Sequence, residues 1–293
     1  MKKPTQRDHL KIMIAKNLSN QLFQYKCLKV NLEPDTKSLT VEIQTTGRFD
    51  QFPLNFECLF ELESLMAWLN QHLEVKSVQI EFDVEYQSFY PEQLKDLDQA
   101  YLEKNMLQIR KTCHSLLKLP QTVIFNLKRG LEGPMAELAL AADLRVANRD
   151  CEIVFNHLSL GLVPMGLGIE LLGLIVSPGK ARDWILSGRN ISSYELAQSG
   201  FIGQLIDNEE DCQQIKQKLF SHSDMARIQA KEALLHQVRG FITDLGLAIQ
   251  KEALKTGDLA LAIEARASEK TIKFTNPNEF KARLKSKLST AEL

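Results

Sequence analysis

The sequence predicts an α/β fold, a strand–helix–strand core followed by a helical C-terminal region. Three observations carry it: short β-branched or alternating runs in the first 155 residues, amphipathic helical stretches between them, and almost purely helical signals after residue 176.

The runs YKCLKVNL (25–32), SLTVEIQT (38–45), SVQIEFDV (77–84) and TVIFNL (122–127) read as strands, with LRVAN (144–148) and EIVF (152–155) as two more. Between the second and third, Leu59, Leu62, Leu65, Met66 and Leu69 recur at helical spacing. A second long helix is expected over about 92–118, with Leu94, Leu97, Tyr101, Leu102, Met106, Ile109 and Leu116 on one side and Pro120 ahead of the next strand. Residues 158–176 are nearly all apolar and of membrane-spanning length. Pro164, Glu170 and four glycines divide that run into a turn and a short helix, which suits a buried core.

Further on, Ser177 and Pro178 mark a helix start, Ser192 and Glu195 form a capping-box pattern, and Gly200 supplies a stop. Four or five more helical stretches follow over 208–288 without a long Pro/Gly/Ser linker. The division expected is an N-terminal extension (1–21), a core (22–206) and a C-terminal helical region (207–293).

Composition narrows the functional classes. In 293 residues, 44% are hydrophobic and 25% charged, as in an ordinary globular protein. Lys plus Arg number 36 against 37 Asp plus Glu, so no global basic field draws in nucleic acid or an anionic membrane. Cys27, Cys58, Cys113, Cys151 and Cys212 are scattered, without metal-ligand spacing, and read as reduced, buried thiols. The first residues lack the apolar stretch of a signal peptide, which makes the cytoplasm the expected location.

Chemistry concentrates in residues 120–206. There a strand runs into Gly130-Leu131-Glu132-Gly133, then Glu137-Leu138-Ala139, Asp143-Leu144-Arg145-Val146-Ala147, and Gly161-Leu162-Val163-Pro164-Met165-Gly166-Leu167-Gly168. Gly179 to Arg182, Leu186 to Ser192 and Glu195 to Ile202 continue the pattern. In these motifs and their order the chain resembles the enoyl-CoA hydratase/isomerase (crotonase) superfamily. The likeness is strong over 120–206 and topological over the first hundred residues. It implies a crotonase-like ββα spiral core and a helical C-terminal oligomerisation region, with homotrimers or dimers of trimers. It also implies a coenzyme A thioester as substrate or ligand, with no separate cofactor, and a place in fatty acid metabolism.

The family stabilises a thioester enolate with two backbone N–H groups, since prepositioned donors serve a developing oxyanion better than water. Glu137 falls on its first catalytic glutamate; read alone, it is also a helix-start charge that suits the dipole. Four residues before Gly161, where hydratases carry a second glutamate, stands His157. That histidine is either an acid–base partner near neutral pH or a core histidine bonded to the backbone.

One family oxyanion donor lies three residues before the first glutamate, at Pro134, which has no N–H. A one-residue shift would use Gly133 or Met135; the structural reading is a proline at the first helical position. The other donor segment corresponds to Ser88 to Leu97, where Pro91 and Glu92 occupy the oxyanion region and no glycine occurs. Lys95 matches a lysine near the CoA phosphates, and Lys273, Phe274 and Phe280 match basic and aromatic C-terminal groups near the nucleotide; solvated charges and an amphipathic terminal helix explain them equally.

Two functional readings follow. One is an acyl-CoA-binding enzyme of the hydratase/isomerase type, with Glu137 as proton carrier and His157 assisting. The other is a non-catalytic homologue serving as an oligomeric scaffold or ligand-binding regulatory protein.

Overall fold

Strands form where the sequence is apolar at every position or every second one. The computed structural model describes residues 25–33, 35–44, 56–82, 86–87, 99–243, 245–268 and 270–277. β1 (Leu28–Glu33) turns back into β2 (Ser38–Ile43), and α1 (Phe56–Leu69) leads to β3 (Ser77–Phe82) and the short β4 (Tyr86–Gln87). α2 (Gln99–Lys118), β5 (Thr122–Leu127), β6 (Gly130–Glu132), α3 (Pro134–Leu140), β7 (Leu144–Asn148) and β8 (Glu152–Val154) follow. A 3₁₀ turn (Asn156–Leu160), α4 (Gly168–Ile175), α5 (Pro178–Ser187), β9 (Ile191–Ser192), α6 (Ser193–Gln198) and β10 (Gln204–Ile206) complete the α/β part. The C-terminal helices are α7 (Glu209–Ser221), α8 (Asp224–Val238), α9 (Leu245–Leu254) and α10 (Asp258–Ala267).

Six strands form one sheet in the order β1-β2-β3-β5-β7-β10, antiparallel only between β1 and β2. Its central row aligns Val41 with Ile80 and Ile80 with Phe125, all essentially inaccessible to water. β5 is buried at every position, as parallel strands covered on both faces are. A second sheet runs β4-β6-β8-β9.

α1 and α2 bring Leu59, Leu62, Leu65, Ile109 and Leu116 into one contiguous core with β2, β3 and α3. α5 docks through Trp184, stacked 6.5 Å from Phe155 and edge-on to Phe201 at 6.2 Å. On the other side of the sheet Ile124, Val146 and Ile206 pack with Cys212 of α7.

Over the described residues the expected strands and helices are present; 92–98 of the expected second helix and 278–288 of the last helical stretches lie outside them. The apolar run 158–176 is indeed a turn and a short helix, and among the described residues no helix is long and apolar enough to cross a membrane. All five cysteines are buried thiols. Ser177 caps α5, accepting from Lys180 N. The capping box at Ser192 is only half made: Ser192 accepts from Glu195 N, but the Glu195 carboxylate turns to Arg189 and Trp184. Four strands of two or three residues, β4, β6, β9 and β10, were not expected, because so short a run carries no readable period.

Candidate active site

Gly133 closes β6 and opens α3. Its N–H donates to Val154 O at 2.9 Å, and its φ of +52° is open to glycine at little cost. A Cβ there would stand 3.1 Å from Asn156 Oδ1. Pro134 then takes the first helical position, and no side chain caps this helix start. Pro134 thus stands where the structural reading puts a proline, and the Gly133 N–H is engaged by Val154 O. Met135 is buried in the core, one residue further on.

Glu137 sits in the first turn of α3 with no exposed surface. Its carboxylate does not serve its own helix. Oε1 accepts from Met165 N at 3.2 Å and Oε2 from Gly168 N at 2.8 Å, which places the charge at the start of α4, where the helix dipole favours an anion. Leu167, between these donors, has φ +113°, so backbone strain is stored in the turn that serves Glu137.

His157 reaches the same carboxylate from the 3₁₀ turn after β8. Its Nε2 lies 2.9 Å from Glu137 Oε1, and the ring is almost wholly buried. Asn156 beside it donates to Glu132 Oε2 at 2.9 Å and fixes the turn. The core-histidine reading required a ring bonded to the backbone. Neither ring nitrogen makes a hydrogen bond among the described residues, and Nε2 is the one that faces Glu137. The two residues aligned by motif are thus 2.9 Å apart, a buried carboxylate facing a buried imidazole.

The sequence reading missed a second layer. Arg110 of α2 forms a buried ion pair with Glu170 of α4, Nη2 to Oε1 at 2.9 Å, with both side chains 5% exposed or less. Its Nη1 donates to Met165 O at 3.0 Å and its Nη2 to Thr243 O. Gln250 of α9 accepts from Val163 N through Oε1. One signal was available: a glutamate inside the apolar run 158–176 must find a partner or pay for burial. Nothing in the sequence singled out Gln250.

Of the remaining predicted residues, the two that are described do not join this cluster. Lys273 and Phe274 are exposed, on a segment that Thr275 N ties to Asp258 Oδ1 at the start of α10. Pro91, Glu92, Lys95 and Phe280 lie outside the described residues.

The family model for enoyl-CoA hydratase/isomerase matches residues 92–256, more than half of the chain. The chain belongs to that family. Its match includes Arg110, Glu137, His157, Glu170 and Gln250. Among curated relatives, YngF of Bacillus subtilis (strain 168) is 30% identical over 167 residues, 55% of this chain. The chain spans 63% of YngF, under two thirds of its length. The short-chain-enoyl-CoA hydratase of Clostridium acetobutylicum is 24% identical, over 76% of this chain and 87% of that protein. The crystal structure of an enoyl-CoA hydratase from Mycobacterium avium subsp. paratuberculosis K-10 superposes with a TM-score of 0.71 at 20% identity, covering 86% of this chain and 100% of that one. That from Bacillus halodurans gives 0.72 at 14% identity, covering 82% and 100%. At these identities the likeness is one of fold, and it is the crotonase fold.

Proposed function

We propose that this member of the family binds an acyl-CoA thioester and shifts a proton along its acyl chain, with Glu137 as proton carrier and His157 as its partner. The observation that carries this reading is the buried approach of His157 Nε2 to Glu137 Oε1 at 2.9 Å. The Glu137 carboxylate would take a proton from carbon, the electron pair would move into the thioester as an enolate, and the proton would return at another carbon, so that nothing is added or lost. A hydratase would need a second carboxylate to hold water, and His157 stands in its place. The 1,2-epoxyphenylacetyl-CoA isomerase of Escherichia coli (strain K12), 26% identical over 166 residues, supports an isomerase of CoA thioesters. Buried thiols suit a reducing cytoplasm.

Pro134 favours a second reading, a non-catalytic homologue acting as a scaffold or ligand-binding regulator. With Gly133 N–H spent on Val154 O and no N–H on Pro134, Met135 is the first amide of α3 without an intrahelical or ladder acceptor. Met225, Leu234, Phe241 and Ile249 of the C-terminal region are exposed and would be covered in a homotrimer or homohexamer.

Calorimetric titration with CoA and a short 2-enoyl-CoA, alongside turnover of wild type and Glu137→Gln, separates the two. Micromolar binding with turnover reduced about 100-fold or more in the variant supports the isomerase reading. Absence of binding to either ligand leaves the scaffold.

A further inference from the structure

Arg110 binds one of the two residues whose N–H groups hold Glu137 and pairs with a side chain in the same helical turn as the other. Its guanidinium binds Met165 O, and the N–H of that same residue holds Glu137 Oε1. It pairs with Glu170, in the same first turn of α4 as Gly168, whose N–H holds Oε2. It also binds Thr243 O, in the segment that leads into α9, while Gln250 of α9 holds Val163 N. The turn 163–168 is therefore pinned from α2 on one side and from the C-terminal helices on the other. Ile109 and Cys113, flanking Arg110 on α2, close against Gly166 of the turn, where a Cβ would be 3.0 Å from Ile109 Cγ2 and 3.3 Å from Cys113 Sγ.

We infer that Arg110 is a positioning residue that couples the Glu137–His157 pair to the seating of the C-terminal helices, so that the pair is aligned only while Thr243 and Gln250 are docked. The inference rests on the isomerase reading for its effect on turnover, but not for its effect on the pair itself. Among the described residues Glu137, Arg110 and Glu170 all act on the Cys113 thiol, which burial first and then Glu137 push well up.

A lone Arg110→Met change would leave Glu170 as a buried unpaired charge and endanger the fold. The informative variant is Arg110→Met with Glu170→Met, which removes both charges and fills the space with apolar atoms, an exchange that buried pairs often tolerate. Arg110→Lys is its conservative companion, because one ammonium cannot reach Met165 O, Thr243 O and Glu170 together. Gln250→Met removes the other stitch.

Imidazole nitrogen NMR of His157, assigned against a His157→Gln variant, reads the pair without any substrate. The expected result is a folded double variant whose His157 resonances differ from wild type, with smaller changes in the same direction for Arg110→Lys and Gln250→Met. With acyl-CoA, kcat in the double variant should fall about 100-fold while KM is little changed, as loss of alignment predicts. His157 resonances that superpose on wild type in the folded double variant would overturn the inference. Should wild type turn over no acyl-CoA while the resonances still move, the coupling stands and the isomerase reading falls.

Discussion

A methyl group at Gly168 would lie 2.8 Å from Glu137 Oε2 and 2.7 Å from Pro164 Cβ, closer than real side-chain contacts come. The backbone there is ordinary helix, so the conflict is one of space alone. Gly168→Ala should cost about 2 kcal/mol, read from denaturant midpoints, by forcing the carboxylate off its two N–H donors or the turn off α4. A variant as stable as wild type would show that the carboxylate has room to withdraw. Glu137 and His157 were legible in the sequence because a single contiguous pattern, from Gly133 to Gly168, fixes both. Their contact was not, since it depends on how far the 3₁₀ turn brings the ring back over α3. Arg110 was hidden among Met106, Ile109 and Cys113, where a long charged side chain on an apolar stripe reads as a surface residue.

The corner formed by α5, β9 and α6 is held by charge. Arg189 binds Asp183 Oδ2 at 2.6 Å and both oxygens of Glu195, and Trp184 Nε1 donates to Glu195 Oε1 at 3.1 Å. The Arg189 hydrogen bonds, more than any other cause, hold the Glu195 carboxyl down from 4.5 to about 2. A carboxylate with a depressed folded value contributes stability that is present above its unfolded value and lost on acidification. Stability should therefore fall as pH drops from about 4.5 towards 2, and Glu195→Gln should flatten that part of the profile in urea titrations at several pH values. The partial exposure of this corner limits the size of the effect. Identical acid limbs for variant and wild type would remove the corner from the account. The helices here were legible from their caps, but the rerouting of Glu195 was not, because an arginine six residues upstream competed for it.

Across the whole molecule, one buried contact joins chain segments 183 residues apart. Lys216 of α7 has no exposed side-chain surface, and its Nζ binds Glu33 Oε1 at 2.6 Å and Thr40 Oγ1 at 3.1 Å on the antiparallel edge of the sheet. Burial pushes the Glu33 carboxyl up, and Lys216, with Thr40 and Thr36, more than offsets this and leaves it lowered. Lys216→Met should cost about 3 kcal/mol, because Glu33 is left without its cation, whereas the paired change with Glu33→Met should recover most of it. Equal losses in the single and double variants would mean that packing, not charge, seats α7. The parallel order of β2, β3, β5 and β7 was legible as alternating strand and helix signals. The attachment of the C-terminal helices was not, since helical periodicity states which face is apolar and not what it meets.

The route of the chain through the clamp has a bearing on biosynthesis. Glu137 and His157 leave the ribosome long before Thr243 and Gln250, yet it is these late residues that pin the turn between Val163 and Gly168. A nascent chain can pair its parallel strands early, since folding proceeds from the N-terminus during synthesis. Until translation passes α9 the turn that holds Glu137 would be pinned from α2 alone. Stalled or prematurely terminated products would thus have the sheet but not the finished centre.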